Sequence, residues 1–450
     1  MNKGKFALPG ALILMLLFLG CNKGQETGSS GKTKIRFSNW DGGSTLEMYD
    51  NITKSFNSSQ DKFEAEVLNI PTDYDTKIMA MIAAGDTPDI ACMESSSILY
   101  PLAEEGQVLN LLEFFRNDSS FNTGNLIDSL AYWMNADYLA GYSIGAEMMG
   151  LFYSTDLFAK YGVPEPPAKY ADAWDWDTFV NVAQRLTIDN KGNNALSPNF
   201  DSKNIVTYGV TFGKWFAVYY AFYNTSGGQI ISADGSTLGL FTPEGIDTMQ
   251  RLADLINKYH VSPTPTASAG IPGGTEAFLS GRVAMAIDGH WVNGSYIEDG
   301  VPYNVAAIPK IKTPASLAVA GALSIMNTPR KDGSWEFFKF LLKAGSTKPL
   351  EEAGTWLPVT KEGLSDAYLN TIITSKHPSN YYDAFCAPML DGTAKRTVSG
   401  WIVNFNRIDN EFGGILDPLW SGEKTYQQLV NENQNRINAM LSGERSMGKL

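Results

Sequence analysis

The sequence predicts an α/β protein with two domains, and three observations lead to this prediction. The chain has 450 residues, more than one hydrophobic core usually serves. Strand and helix patterns alternate from residue 35 onward, as in a doubly wound sheet. A later stretch, residues 281 to 291, contains an unbroken apolar run that is typical of a strand buried on both faces of a parallel sheet.

Residues 35 to 93 show the alternation of strands and helices. The segments 35 to 40, 63 to 70 and 89 to 93 are predicted as strands. Two helices between them are predicted from apolar residues at helical spacing, namely Leu46, Tyr49, Ile52 and Phe56 in the first and Ile78, Met79, Met81 and Ile82 in the second. Gly85 suits the C-cap of the second helix, and Pro88 prevents its continuation.

The stretch from residue 281 to residue 291 joins a buried strand to a candidate binding residue. Val283 to Ile287 is apolar throughout, so both faces of the predicted strand are covered. Asp288 and Gly289 end it, which places Trp291 at the carboxyl end of the strand. Because open α/β sheets bind ligands at this edge, Trp291 is predicted to lie in a binding site.

Charge and motif content disfavour several classes of function. The formal net charge of −13 disfavours nucleic acid as a partner. His260, His290 and His377 are far apart in sequence, and no Cys or His cluster has metal-ligand spacing. A G-x-S-x-G nucleophile motif is absent from the sequence. We therefore expect no metal, no other cofactor and no enzymatic activity.

The first residues of the chain predict export. Lys3 and Lys5 precede an apolar run from residue 11 to residue 19, and Leu-Gly-Cys follows at 19 to 21. This pattern resembles a lipoprotein signal peptide over residues 1 to 20, in which case Cys21 is the lipidated first residue of the mature chain. Residues 21 to 34 are small and polar and are predicted to form a flexible tether. A plain secretory signal is the alternative.

Three further residues allow more than one interpretation. Cys92 and Cys386 make no disulfide framework, although a single bridge between them stays open. Cys92 closes an apolar run and is interpreted as a small buried hydrophobe. Glu147 lies in an apolar segment, where burial of its carboxylate requires hydrogen-bond partners. It is either a member of a structural ion pair or a carboxylate aimed into a cleft.

Four sequence blocks together resemble one family. They are A-A-G-D-T-P-D-I at 83 to 90, L-F-Y-S-T-D-L-F at 151 to 158, W-D-W-D-T-F at 174 to 179 and G-R-V-A-M-A-I-D-G-H-W at 281 to 291. Their order and spacing resemble the extracellular solute-binding proteins of ABC sugar importers, the family that includes maltose-binding protein. The resemblance extends over nearly the whole mature chain, including a C-terminal helix near residues 425 to 441.

The resemblance implies a periplasmic-binding-protein type II fold, with two discontinuous α/β lobes that close on a solute about a three-crossing hinge. The implied N-terminal lobe comprises residues 35 to 143 and 322 to 359, and the C-terminal lobe comprises residues 144 to 321 and 360 to 450. The crossings are expected near residues 142 to 147, 319 to 322 and 358 to 361. A bridge between Cys92 and Cys386 would join the two lobes, which argues against it.

The resemblance also implies a set of site residues. Glu147 matches a sugar-contacting glutamate of the family, and Trp291 matches its stacking tryptophan. Trp215 or Phe216, and Trp401, fall near two further aromatic contacts. Four further candidates of the first lobe follow strand ends or a helix entry, namely Trp40, Asp41, Tyr74 and Glu94. Gly321 and Trp356 complete the set.

The implied ligand is a sugar or an oligosaccharide, because tryptophans can cover a sugar ring and carboxylates can bind its hydroxyls. The implied partners are the permease subunits of an ABC transporter. A monomer is expected, held at the cell membrane by its lipid and facing the periplasm or the cell exterior. Two alternatives stay open, a non-transport sugar-sensing or adhesive lipoprotein and, with less support, a secreted glycoside hydrolase.

Replacing Cys21 tests the predicted anchor. Cys21→Ala should release the protein from the membrane fraction with its ligand affinity unaltered, because the tether contributes nothing to the site. Fractionation and mass spectrometry of the mature N-terminus measure both effects. A mature N-terminus mapped downstream of residue 21 would contradict the lipoprotein interpretation.

Overall fold

A computed structural model describes residues 31–93 and 96–450 of the chain. Cys21, the predicted lipid attachment site, and Glu94, a predicted ligand contact, lie outside the described residues. Two six-stranded sheets and a two-stranded pair are present in the described part. The fold is therefore mixed α/β with two main sheets.

The strands are β1 (Thr33–Asn39), β2 (Phe63–Asn69), β3 (Ile90–Met93), β4 (Ala131–Asn135), β5 (Tyr138–Tyr142), β6 (Glu147–Ser154), β7 (Ile188–Asp189), β8 (Ile205–Thr207), β9 (Thr211–Phe212), β10 (Met285–Gly289), β11 (Tyr303–Ala306), β12 (Ser316–Val319), β13 (Ala322–Ile325) and β14 (Ala394–Lys395).

The α-helices are α1 (Gly43–Ser59), α2 (Tyr74–Ala83), α3 (Ser96–Glu104), α4 (Leu111–Asn117), α5 (Thr155–Tyr161), α6 (Trp176–Leu186), α7 (Phe216–Ser226), α8 (Pro243–Asn257), α9 (Pro265–Ser268), α10 (Thr275–Leu279), α11 (Val292–Glu298), α12 (Lys331–Leu341), α13 (Lys348–Glu352), α14 (Asp366–Ile372), α15 (Ala387–Asp391), α16 (Phe405–Gly413), α17 (Asp417–Trp420) and α18 (Tyr426–Asn438).

The first sheet has the order β2-β1-β3-β13-β5-β4. Its three N-terminal strands are parallel, as the alternating pattern predicts, while β13 returns antiparallel to β3. Phe37 of β1 packs edge-on against Phe337 of α12, with ring centroids 5.8 Å apart. The apolar face predicted for α2 is wrong at Met79. This side chain is exposed, because it lies away from the side of the helix on which Ile78 is buried.

The second sheet has the order β14-β12-β6-β10-β9, and β11 also pairs with β6. The predicted buried strand forms but starts at Met285, and it is only partly parallel. It pairs parallel with β9 and antiparallel with β6. The continuous apolar run indicates burial on both faces, which is correct, but burial alone does not set the direction of the neighbouring strands.

Local capping signals in the sequence are matched by the structure. The side chain of Asp175 accepts a hydrogen bond from the backbone N–H of Thr178 at the start of α6. Thr425 and Gln428 form a capping box at the start of α18, which confirms the predicted C-terminal helix. Cys92 and Cys386 are both buried and free, so the open question of a bridge is answered in favour of thiols.

Backbone pairing holds the segments that pass between the two sheets. The chain leaves the first sheet after Tyr142 and enters the second at Glu147, and it returns between Val319 and Ala322. These two passages lie side by side, because β12 pairs with β6 and β13 pairs with β5. A third segment is tied to the first by two hydrogen bonds between Ala146 and Leu357, with N···O distances of 3.1 and 2.9 Å.

A buried ion pair fixes the discontinuous part of the first sheet. The Asp89 side chain is fully buried, and the Nε atom of Arg330 donates to both of its oxygens at 2.8 and 2.9 Å. Asp89 also accepts hydrogen bonds from the backbone N–H of Arg36 and from the hydroxyl of Thr328. One carboxylate therefore connects β1, the start of β3 and the segment that follows β13.

Removing this charge should destabilise the protein strongly. Asp89→Asn leaves the mostly buried Arg330 uncompensated, so the free energy of unfolding should fall by about 3 to 5 kcal/mol. Asp86→Asn is the matched control, because Asp86 pairs with Arg36 but has 59% of its side chain exposed. The control should lose about 1 kcal/mol or less in urea denaturation. Similar losses in the two variants would contradict the assigned role of Asp89.

Candidate ligand-binding cleft

A cavity of about 370 Å³ lies between the two sheets. Its volume is within the range of pockets that bind small molecules, roughly 300 to 1,000 Å³. Residues at the edges of both sheets and in the passages between them line it, namely Trp40, Asp41, Thr45, Glu147, Trp215, Trp291, Val319, Ala320, Gly321, Thr355 and Trp356. We call it the tryptophan cavity, because four of the eleven are tryptophans.

The first sheet contributes Trp40 and Asp41 from the turn that follows β1. The turn is closed by the side-chain amide of Asn69, which donates to the carbonyl of Asp41. The ring of Trp40 meets the ring of Tyr74 edge-on, with centroids 5.2 Å apart. The hydroxyl of Tyr74 lies 2.8 Å from that of Ser38, so this aromatic pair is fixed on the β1 backbone.

The second sheet contributes Glu147, the first residue of β6, together with Trp215 and Trp291. The two indole rings contact each other at an angle of 65°, with centroids 5.7 Å apart. Gly289 provides the space for Trp291, because a Cβ atom there would lie 1.9 Å from the indole ring. Trp291 therefore follows the carboxyl end of β10, as the sequence predicts.

A buried histidine holds the backbone next to Trp291. The Nε2 atom of His290 lies 2.7 Å from the hydroxyl of Tyr381, and burial lowers the pKa of His290 to about 3. The ring of His377 also packs edge-on against Tyr381, with centroids 5.0 Å apart. His290 and His377 therefore pack on the same tyrosine although they are distant in sequence.

Trp356 reaches the cavity from the third segment, which follows α13. Its indole covers Gly145 so closely that a Cβ atom there would lie 0.9 Å from a ring carbon. The Nε1 atom is buried and has no hydrogen-bond partner. Trp356 therefore faces the cavity with its aromatic ring and not with its N–H group.

The tryptophan cavity is acidic. Asp41 and Glu147 line it, and no Lys, Arg or His of the described chain does so. Burial raises the pKa of Asp41 to about 6, and burial is the sole cause of this shift. The ionised form of such a carboxylate is stabilised when a ligand donates hydrogen bonds to it.

A second cavity, of about 480 Å³, adjoins the first and shares Val319 and Ala320 with it. We call it the adjoining cavity. Elements of both sheets line it, through the start of α2, the start of α7 and one side of α16. Its other residues are Asp73, Tyr74, Asp75, Thr76, Phe216, Ser399, Phe405, Asn406, Asp409 and Asn410.

The structure brings most, but not all, of the predicted site residues together. Seven of them line the tryptophan cavity, namely Trp40, Asp41, Glu147, Trp215, Trp291, Gly321 and Trp356. Tyr74 and Phe216 line the adjoining cavity instead. Trp401 lies apart from both, in a cavity of about 910 Å³ beside Lys395 and Arg396. Trp401 therefore does not join the other predicted site residues, and its match to a third aromatic contact of the family stays a prediction.

Several residues that line the two cavities were not predicted from the sequence. Thr45 lies in the first turn of α1, and Thr355 precedes Trp356. The glycine-rich turn at 42 and 43, between Asp41 and α1, is a signal that could have drawn attention to Thr45. Phe405 and Asp409 of the adjoining cavity belong to α16, and no local motif distinguishes them from the face of an ordinary amphipathic helix.

The described residues contain neither a candidate metal cluster nor a helix that could span a membrane. Within residues 31–93 and 96–450, no group of three His, Cys, Asp or Glu side chains could hold a metal ion. Over the same residues, no helix is long and apolar enough to cross a membrane. The arrangement of aromatic rings and carboxylates is suited to reversible binding of a polar molecule that also has apolar faces.

Replacing Asp41 should change the pH dependence of stability. Its folded pKa of about 6 exceeds the ordinary 3.8, so the folded state holds more protons and loses stability as pH rises between these values. In the absence of ligand, Asp41→Asn should stabilise the protein by roughly 1 kcal/mol at pH 8, allowing for partial exposure, and by almost nothing at pH 4. Urea denaturation at both pH values measures this, and equal effects would contradict the raised pKa.

Comparison with known proteins gives relatives of one kind. A putative binding protein of Brucella abortus is 25% identical over 359 residues, which cover 75% of this chain and 80% of that protein. A putative ABC transporter periplasmic-binding protein of Escherichia coli is 23% identical over 383 residues, covering 82% of this chain and 81% of that protein.

Solved structures share the fold. An ABC substrate-binding protein of Listeria monocytogenes, solved with cycloalternan, aligns with a TM-score of 0.73 at 21% identity, covering 91% of this chain and 98% of that one. A cyclic alpha-maltosyl-1,6-maltose binding protein of Arthrobacter globiformis aligns with a TM-score of 0.72 at 19% identity, covering 91% and 99%. The chain thus has the type II periplasmic-binding-protein fold, as predicted.

The family follows from the sequence match. Residues 49–348 match the family model of the bacterial extracellular solute-binding proteins. This range is two thirds of the chain, and it contains the four sequence blocks on which the resemblance rests. Proteins of this family bind solutes and are not enzymes, which sets aside the hydrolase alternative. The chain belongs to the bacterial extracellular solute-binding proteins.

Proposed function

We propose that this protein binds a sugar or an oligosaccharide in the tryptophan cavity and delivers it to the permease of an ABC importer. One observation carries the proposal, the convergence of four tryptophans and two carboxylates in a cavity between the two sheets. Either residue type alone is common in cores and on surfaces. Their combination around one cavity matches the surface of a sugar.

The chemistry of a sugar explains both residue types. A sugar ring has an apolar face of C–H groups, which an indole ring can cover, and a rim of hydroxyls, which donate hydrogen bonds to carboxylates. Asp41 and Glu147 supply acceptors for these hydroxyls, and the four indole rings supply apolar surface. An anionic solute would meet two carboxylates in a lining whose described residues include no cation.

The ligands of structural neighbours agree with this chemistry. The Listeria monocytogenes protein was solved in complex with cycloalternan. A further neighbour from T. maritima, with a TM-score of 0.69 at 16% identity, was solved with maltose bound. These identities are too low to transfer a ligand, so the proposal rests on the lining of the cavity.

The proposed binding step is a closure of two lobes. The first lobe comprises residues 35 to 143 and 322 to 359, and the second comprises residues 144 to 321 and 360 to 450. Trp40 and Asp41 belong to the first, and Glu147, Trp215 and Trp291 belong to the second. A ligand that contacts both groups at once stabilises the closed arrangement by its differential affinity, which is the physical requirement for ligand-driven closure.

The proposed location is the outer face of a membrane. Export through residues 1 to 20 and lipidation of Cys21 would hold the protein next to its permease, with residues 21 to 34 as the tether. We propose that the binding unit is a monomer, because one chain supplies both walls of the cavity. The permease is then the partner that distinguishes a transport protein from a sugar-sensing or adhesive one.

Truncation of Trp291 tests the site. Trp291→Ala should weaken sugar binding by about 1 to 3 kcal/mol, because it removes an indole that covers the ligand. Trp174→Ala is the matched control, since Trp174 is also half-buried but lines neither cavity. Calorimetric titration with mono- and oligosaccharides, chosen from a thermal-shift screen, measures the difference.

The two variants also separate binding from folding. If Trp291 were only a core residue, its truncation would lower the free energy of unfolding by several kcal/mol and leave the affinity unchanged. Equal losses of affinity in both tryptophan variants would likewise remove Trp291 from the site.

A further inference from the structure

The two cavities form one groove with a continuous aromatic wall. On the side of the second sheet, Trp291 contacts Trp215, Trp215 contacts Phe216, and Phe216 contacts Phe405. The ring centroids in these three contacts are 5.7, 5.0 and 5.2 Å apart. The first two rings line the tryptophan cavity and the last two line the adjoining cavity.

The opposite side of the groove is continuous too. Trp40 lines the tryptophan cavity, Tyr74 lines the adjoining cavity, and the two rings touch. Val319 and Ala320 belong to the floor of both cavities. A solute longer than a single ring can therefore run from one cavity into the other between two aromatic walls.

The charges along this groove have one sign. Asp41 and Glu147 line the tryptophan cavity, and Asp73, Asp75 and Asp409 line the adjoining cavity. Among the described residues, neither lining contains a Lys, Arg or His. Three basic residues of neighbouring segments lie outside both linings. Lys214 lines a separate cavity with Asp288, Lys77 donates to Thr72 at the surface, and Arg407 of α16 is exposed.

Each cavity contains one partly buried carboxylate whose negative charge no basic side chain of the lining neutralises, Asp41 in one and Asp409 in the other. Burial alone raises the pKa of Asp41 in the tryptophan cavity and of Asp409 in the adjoining cavity, each to about 6. A neutral hydroxyl can donate a hydrogen bond to such a group but leaves its charge in place. A cation removes the cost of that charge as well.

We infer that the solute is an oligosaccharide that carries at least one protonated amine and lies along both cavities. The inference rests on the proposed function, because it names the class of sugar that the same cleft takes. An ammonium group has three donors for the carboxylates, and the indole faces attract it further. Sugars that carry a phosphate or a carboxylate are repelled by the same lining.

Oligosaccharides that differ at one position test this inference. The probes are glucosamine oligomers, with an amine on carbon 2, glucose oligomers of the same linkage and length, with a hydroxyl there, and the N-acetylated forms, in which the charge is removed. Affinities for the full chain are measured by calorimetry at low ionic strength and at a pH at which the amine is protonated. The amine forms should bind about tenfold or more tightly than the hydroxyl forms, and the advantage should shrink as salt is added.

Variants locate the interaction. Asp409→Asn and Asp41→Asn should each reduce the ratio of amine to hydroxyl affinity by severalfold, because each removes one charge from the groove. Asp288→Asn is the matched control, since burial also raises the pKa of Asp288 to about 6 while its carboxylate lines a separate cavity. The control should leave the ratio unchanged.

The outcomes are distinguishable. Hydroxyl or N-acetyl forms that bind as tightly as the amine forms overturn the inference and leave the proposed sugar-binding function intact. An amine preference that Asp288→Asn abolishes as strongly as Asp409→Asn also overturns it, because the preference would not come from the groove. If no oligosaccharide and no monosaccharide binds, both the inference and the proposed function are wrong.

Discussion

The cleft depends on the backbone pairing of the segments that pass between the sheets. Two passages run side by side as continuations of paired strands, and the third is bound to the first through Ala146 and Leu357. This pairing brings Glu147, Gly321 and Trp356 to the same cavity, although they are distant in sequence. The hydroxyl of Tyr142 adds a link to the carbonyl of Val359 at 2.7 Å. The floor of the cavity is thus built from backbone hydrogen bonds, and side chains project from it.

Beside this floor the protein keeps Asp41 and Asp409 partly buried, and no basic side chain of the described chain lines either cavity, which is costly in the empty state. Raised pKa values for Asp41 and Asp409 express that cost. Elsewhere the chain solves the same problem with a partner, as in the pairing of Asp89 with Arg330. The contrast indicates that Asp41 and Asp409 are not there for stability. Their partner is expected to arrive with the solute.

Much of this fold could be predicted from the sequence because local patterns determine it. Helix caps at Asp175 and Thr425 and the apolar run ending in Gly289 each depend on neighbouring residues. Strand direction beside β10 could not be predicted, because periodicity reports burial and not the identity of the paired strand. The same distinction between local patterns and distant packing applies to the site residues. Trp291 could be predicted because it follows a strand end. Asp409 could not, because its position depends on how α16 packs beside α7.

Resemblance supplied what local patterns could not. Trp356 and Gly321 reach the cavity only because distant segments meet there, and no spacing rule brings them next to Trp40. The same transfer of positions does not bring Trp401 to either cavity of the groove, since Trp401 lines another cavity.

The close approach of Trp356 to Gly145 couples these two positions sterically, although they are distant in sequence. Any side chain at position 145 collides with the indole, so substitution there is tolerated only if position 356 changes to a smaller residue or its segment shifts. Loss of the tryptophan would also remove a wall of the cavity. Among related sequences, a non-glycine residue at 145 should therefore accompany a different residue at 356 and a cleft of altered shape, which makes the pair a marker of changed solute preference.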